Sequence, residues 1–379
     1  MIPYGRQDIS EEDIAAVVEV LRSDWLTTGP AVERFEHAVA RTSGAAHAVA
    51  VANGSVALHL ACRALGLGPG DALWTSPNTF VASANCALYC GAGVDFVDID
   101  PATYNMDAAA LEEKLKKAGR PPKIVVPVHF AGQPCDMQAI GALARRYGFA
   151  VVEDASHALG ATYRGEPVGN GRHSELTVFS FHPVKIITTG EGGMVLAGRA
   201  DLAEKLRMLR AHGITRDPAR MAENDPGGWY YEQLDLGYNY RMTDLQAALG
   251  ASQLERLESF LARRRQLAAR YDGLLAGLPL ITPKQHPDGR SAWHLYVVQV
   301  EKKASRRKAF ESLRAAGIGV NVHYIPVHLQ PYYRRLGFRP GDFPNAEAYY
   351  AGAITLPLFP RMTDREQDQV VAALARALR

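Results

Sequence analysis

One lysine stands out by its surroundings. Lys185 lies in the stretch FSFHPVKIITTGEGG, between an apolar, strand-like run at 176–181 and three glycines, Gly190, Gly192 and Gly193. A lysine buried at a strand end loses hydration, which lowers its pKa and leaves part of it as a neutral amine. A neutral amine adds to an aldehyde and forms a Schiff base. Taken alone, the same residue reads as a surface lysine in a glycine-rich loop. Residues elsewhere in the chain change that reading.

Those residues sit where other strand-like runs stop. Asn53-Gly54-Ser55 follows a short apolar strand and opens a helix. Backbone N–H groups and a hydroxyl meet there as an anion site, although an ordinary N-cap with a turn glycine uses the same residues. Asp154 ends the run AVVED and is placed either to hold a protonated pyridine nitrogen or to cap the following turn. Glu153 alternates to the opposite face. His157 suits stacking on a ring, hydrogen bonding to it, or a purely structural place. Ser180 can donate to a phosphate. Phe80, after SPNT, can cover a ring face or simply fill the core. WLTTGP at 25–30 is either a helix connector or a loop lining a ligand.

The elements that must position these residues alternate. A helix is expected from Ser10 and Asp13, with Ile14, Val17, Val18 and Leu21 on its apolar face. Strands follow at 47–52, 72–76, 94–97, 123–128 and 150–154, with helices at 80–89, 107–118 and 136–147 between the later ones. This rhythm argues for a mostly parallel sheet with helices on both faces, in which ligands sit beyond the carboxyl ends of the strands. Residues 214–236 break the rhythm as a long polar excursion. Thr243 and Gln246 form a capping-box signature that opens a long helix leaving the large domain. A strand at 294–300, a helix at 305–316, NVHYIPVHLQPYY and a last helix at 363–379 make a smaller α+β domain. The division expected is a large domain over 1–245 and a small one over 246–379.

Composition narrows the classes of function. Hydrophobic residues make up 47% and charged residues 22% of the 379, as in soluble globular proteins. A net charge of +2 gives no footing for nucleic acid or an anionic membrane. The four cysteines show no metal-binding spacing, and Cys86 and Cys90 suit buried free thiols. The charged N-terminus is not a signal peptide, and no apolar run is long enough to cross a bilayer, so a cytoplasmic protein without a metal is expected.

The ordered set WLTTGP, VANGSVALHL, SPNTFVASANC, FVDIDPATYN, PVHFAGQPCDM, VVEDASHALGA, FSFHPVKIITTGEGGM, HGITRD and LGYNYRMTDLQAALG resembles the DegT/StrS nucleotide-sugar aminotransferases over nearly the whole chain. That resemblance implies a fold-type I α/β transferase using pyridoxal 5'-phosphate (PLP). By position it implies Lys185 as the Schiff-base lysine, Asp154 on the pyridine nitrogen and His157 near the ring. It also implies Phe80 stacked on the ring and Gly54, Ser55 and Ser180 at the phosphate and nearby substrate. Asn239 would reach the neighbouring subunit's cofactor, which makes a homodimer with a shared site. Tyr4, the loop Asp24, Trp25, Leu26 and Thr27, and the stretch His323, Tyr324, Ile325 and Pro326 match sugar-nucleotide contacts. Family members with histidine in place of the lysine dehydrate instead; lysine here favours transamination. PVHFAGQPCDM, EDASHALGA and FSFHPVKIITTGEGGM are most similar to the pseudaminic acid branch. That branch implies transfer from L-glutamate to C4 of a UDP-linked 4-keto-6-deoxy-N-acetylhexosamine. The rival readings are a GDP- or dTDP-linked keto sugar, amination at C3, or a non-catalytic cofactor-binding regulator.

Overall fold

The computed structural model describes residues 1–223 and 227–379. Two N-terminal helices, α1 (Glu11–Leu21) and α2 (Pro30–Ser43), precede an alternating run. That run comprises β1 (His47–Val51), α3 (Gly54–Ala64), β2 (Ala72–Thr75), α4 (Ala82–Tyr89), β3 (Gly93–Phe96), α5 (Ala108–Lys117), β4 (Ile124–Val126), α6 (Met137–Tyr147) and β5 (Ala150–Asp154). A short hairpin, β6 (Thr162–Tyr163) and β7 (Glu166–Pro167), leads to β8 (Leu176–Ser180), β9 (Gly193–Ala197) and α7 (Ala200–Arg210). The main sheet has seven strands in the order β1-β9-β8-β5-β4-β2-β3. Along β8, Val178 packs with Val49, Val51 and Val195 on one face, while Phe179 joins Ala48, Ala50 and Met194 on the other. Both faces are buried under helices, so these strands are continuous apolar runs.

Several expectations are corrected here. Helix α1 has the Ser10–Asp13 capping box, but its predicted apolar face is largely in water: Ile14 is 48% and Leu21 56% exposed. Asp13 and Val20 are the buried residues. The cause is polar. Asp13 accepts from Ser252 Oγ at 2.6 Å, Gln253 Nε2 at 2.5 Å and Arg256 Nη2 at 2.5 Å, all on or just after α8 (Asp244–Glu255). The glycine-rich loop after Lys185 leads into a strand that was not expected: Gly190 turns in the left-handed region (φ 77°), and Gly193 opens β9, antiparallel between β1 and β8. Helix α4 starts at Ala82, leaving Phe80 in the segment before it.

The 214–236 excursion includes a two-stranded ribbon, β10 (Ile214–Thr215) with β11 (Glu232–Gln233); its part at 224–226 lies outside the described residues. Thr243 and Gln246 form the expected capping box. The long helix expected after it is broken at Arg256, and α9 (Leu257–Leu274) continues. Strands β12 (Leu280–Ile281), β13 (Gly289–Arg290), β14 (Tyr296–Val300) and β15 (Ala353–Leu356) follow, with α10 (Arg306–Ala315), α11 (Pro331–Arg335) and α12 (Pro344–Gly352) between the last two and α13 (Asp364–Ala377) at the end. The core around α1, α2 and α8 runs on to Leu261, and the core around β14 and α13 takes up at Leu267, so the change of core falls inside α9. Ile2 belongs to the second core: it pairs with Ile318, and Leu358 N–H donates to Tyr4 O at 3.0 Å. Among the described residues no helix is long and apolar enough to cross a membrane.

Candidate active site

Three strands deliver the site to one edge of the sheet. Because β9 is antiparallel to both β1 and β8, those two run the same way as β5. Asn53 just after β1, Asp154 ending β5 and Ser180 ending β8 therefore meet beyond the carboxyl ends, where open α/β sheets bind ligands. The loop from β8 to β9 carries Lys185, and its ends are pinned by the Ser180–Gly193 pair. A β-carbon on Gly193 would lie 2.5 Å from Asn53 O, so only glycine lets β9 pass the start of α3. At Gly54 a β-carbon would lie 2.9 Å from Ser180 Cβ, which brings the helix start against the serine.

These residues enclose a cavity of about 800 Å3. Of those expected from the sequence, Tyr4, Gly54, Ser55, Phe80, Asp154, His157, Ser180, Lys185, His323 and Tyr324 line it. Asp24, Trp25, Leu26 and Thr27 do not; they are exposed on the surface of the chain. Asn239 is also exposed and faces outward, beside Tyr240, which does line the cavity. Ile325 is 45% exposed and Pro326 is buried, both outside the lining. Phe80 is 57% exposed and is not a core aromatic.

Local bonds hold the chemistry in place. Asn53 Oδ1 accepts from Val56 N–H at 3.0 Å and caps α3, while Gly54 and Ser55, in its first turn, have no intrahelical acceptor for their N–H groups. Asp154 Oδ2 accepts from Ser83 Oγ at 2.6 Å and Oδ1 from Ser156 N–H at 3.1 Å. Glu153 faces away, as alternation requires, and accepts from His129, Ser174 and Thr177. The backbone N–H of Cys135 donates to His129 Nδ1 at 3.1 Å, so His129 gives its Nε2 hydrogen to Glu153.

Burial lowers the Lys185 amine to about 8, with Asp154 opposing the shift. Burial and the Lys185 and His323 charges hold His157 well below its ordinary value. Burial and Lys185 bring His323 to about 3. His294, which sequence reasoning missed, packs against His157 with ring centroids 4.4 Å apart and planes tilted by 40°, and its pKa is held well below the ordinary value by burial, His157 and Lys185. Tyr324 OH lies 3.3 Å from His157 Nε2, and its ring is 6.3 Å from that of Phe80. Ser83 was also missed, although Thr79 and Ser83 in SPNTFVAS stand one helical turn apart and gave a signal.

The donor set fits a phosphorylated pyridine aldehyde. A partly neutral lysine suits the carbonyl, a two-donor carboxylate suits a ring N–H, and the α3 start with Ser55 and Ser180 suits a phosphate. His157 Nδ1 is buried without a partner among the described residues, as expected where a polar ligand group is to complete it.

Fold and site together define a PLP-dependent aminotransferase. The sequence profile of the DegT/DnrJ/EryC1/StrS aminotransferase family matches residues 7–375, and the chain belongs to that family. It is 45% identical over 379 residues to the spore coat polysaccharide biosynthesis protein SpsC of Bacillus subtilis, covering 98% of this chain and 96% of that protein. The sugar aminotransferase Spr1654 of Streptococcus pneumoniae, in its PLP form, superposes with a TM-score of 0.90 at 32% identity, over 99% of this chain and 98% of that one. PseC of Helicobacter pylori, an aminotransferase involved in the biosynthesis of pseudoaminic acid, gives 0.91 at 30% identity, over 100% and 99%. The chain is a PLP-dependent sugar aminotransferase.

Proposed function

We infer that the enzyme moves the amino group of L-glutamate to C4 of a UDP-linked 4-keto-6-deoxy-N-acetylhexosamine, in a homodimer whose sites are shared. The carrying observation is that Lys185, Asp154, Ser180 and the start of α3 line one cavity with two aromatic or imidazole rings, Phe80 and His157. When bound, PLP supplies an electron sink for the pair released at the donor's α-carbon. Lys185 Nζ would hold the carbonyl carbon of PLP at rest and, once displaced by the donor amine, would take the proton from the donor's α-carbon and deliver it to that same cofactor carbon. Asp154 accepts from the ring N–H. Phe80 and His157 cover the ring. Gly54 and Ser55 N–H and the hydroxyls of Ser55 and Ser180 take the phosphate.

The sugar side is built from Tyr4, His323 and Tyr324, with neutral imidazole and phenol groups that suit hydroxyls rather than a carboxylate. The loop Asp24–Trp25–Leu26–Thr27, with Ile325 and Pro326, belongs to the sugar nucleotide in the assembled dimer, where Asn239 reaches the partner's cofactor. The likeness to PseC and the three matching sequence segments support the UDP sugar. The higher identity to SpsC favours a second reading, another nucleotide keto sugar that feeds a polysaccharide. A panel of UDP-, dTDP- and GDP-linked 3- and 4-keto sugars with L-glutamate, followed by 2-oxoglutarate release and product identification, decides between them. Lys185→Ala is expected to lose about 10²–10⁴-fold or more in turnover; a variant that keeps wild-type turnover overturns the assignment of the lysine.

A further inference from the structure

Two buried hydroxyls stand behind Asp154 on its helical side. Ser83 Oγ, in the first turn of α4, lies 2.6 Å from Asp154 Oδ2 and 2.7 Å from Thr79 Oγ1. Ser83 is 1% and Thr79 3% exposed. Counting hydrogens gives this chain a direction. A serine hydroxyl has one hydrogen to give and two lone pairs to accept with. Three acceptors compete for it, the carboxylate at 2.6 Å, Thr79 Oγ1 at 2.7 Å and the Phe80 carbonyl at 3.3 Å. The carboxylate is nearest and is the best acceptor, so it takes the hydrogen. Thr79 must then donate to Ser83 Oγ, and the order is Thr79 to Ser83 to Asp154. Hydroxyls in series polarise one another and strengthen the final bond. On the other oxygen, Ser156 N–H holds Oδ1.

We propose that Ser83, backed by Thr79, is a positioning residue that fixes the Asp154 carboxylate as an acceptor turned toward the ring nitrogen of the cofactor. With a donor on each oxygen the carboxylate cannot rotate about its Cβ–Cγ bond without breaking both bonds. The lone pairs left over face the cavity. Helix α4 thus sets the angle at which β5 presents its acid, and Phe80, just ahead of the same helix, sets the aromatic cover. This rests on Asp154 as the partner of the ring nitrogen.

The test is the release of PLP from the loaded protein on dilution, read by the visible absorbance retained. It compares wild type, Ser83→Ala, Asp154→Ala and the double variant. Ser83→Ala is expected to release PLP about three- to ten-fold faster than wild type and to add nothing in the Asp154→Ala background. Ser83→Thr, which keeps the hydroxyl, is expected to restore most of the retention. Thr79→Val, which keeps the side-chain shape, is expected to give a smaller change of the same sign and covers the case in which Ser83→Ala does not fold. Wild-type retention in Ser83→Ala overturns the proposal. So does an equal loss in both backgrounds, which would give the hydroxyl to the folding of α4 alone. Unchanged retention in Asp154→Ala would instead remove Asp154 from the ring nitrogen, a separate failure.

Discussion

Lys185 and three histidines share one buried space, and a charge on any of them disfavours a charge on the others. Burial sets the lysine near 8, so its neutral fraction grows as pH rises through that value and falls about ten-fold for each unit below it. Capture of added PLP by the cofactor-free protein is therefore expected to speed up between pH 6.5 and 8 and to level off above about 8.5, as followed by visible absorbance. A rate that keeps rising about ten-fold per unit beyond pH 9 would mean that the amine keeps its ordinary pKa. Asp154 and Ser180 were legible because each closes an apolar run, Asp154 with a capping role as the alternative, and Lys185 was legible only in their company. Phe80 and Gly54 were legible only with an alternative beside them, and the structure removes the core alternative for Phe80. His294 was not legible: nothing in its neighbourhood in the sequence hints that it packs against His157, a contact made only when the segment before β14 folds back over the sheet.

At the scale of elements, β9 matters most. It returns the chain after the lysine loop, and its first residue lies against the first turn of α3. Gly193→Ala places a β-carbon 2.5 Å from Asn53 O and 2.6 Å from Asn53 C, backbone atoms that cannot swing aside. The variant is expected to lose about 1–3 kcal/mol in denaturant unfolding, as overpacked sites do. It is also expected to bind PLP more weakly, because the displaced α3 start is the proposed phosphate cradle. Unchanged stability and binding would show that β9 and α3 can part without cost. The parallel strands and most helix starts were legible through apolar runs and capping residues such as Asp136 and Thr243. The face of α1 was not, because its docking depends on Asp13 meeting α8, and an acid on an amphipathic helix ordinarily marks the wet side. Strand β9 was hidden by its own glycines, which read as a turn.

Seen whole, the chain leaves large side chains exposed on the loop after α1 and on the excursion: Trp25 is 55%, Leu26 49%, Trp229 76% and Leu236 71% exposed. They are the apolar side chains that the proposed second copy would cover. Mixing settles whether the sites are shared. Lys185→Ala and Asn239→Ala homodimers are each expected to have little turnover. Exchanged subunits are expected to regain activity, since one site of the hybrid has both residues. No recovery, with exchange verified by mass, would leave each site to its own chain. The excursion was legible as a break in the rhythm, but its β10–β11 ribbon was not, because each strand is only two residues long. The pairing of Ile2 with Ile318 and of Tyr4 with Leu358 has a last consequence, for synthesis. Tyr4 is synthesised well before the segments that hold it, which come more than three hundred residues later. The wall that it gives to the cavity cannot be closed co-translationally until Leu358 has emerged, so a nascent chain stalled before that point would carry the lysine, the acid and the start of α3 but an unfinished cavity wall where the sugar is proposed to sit.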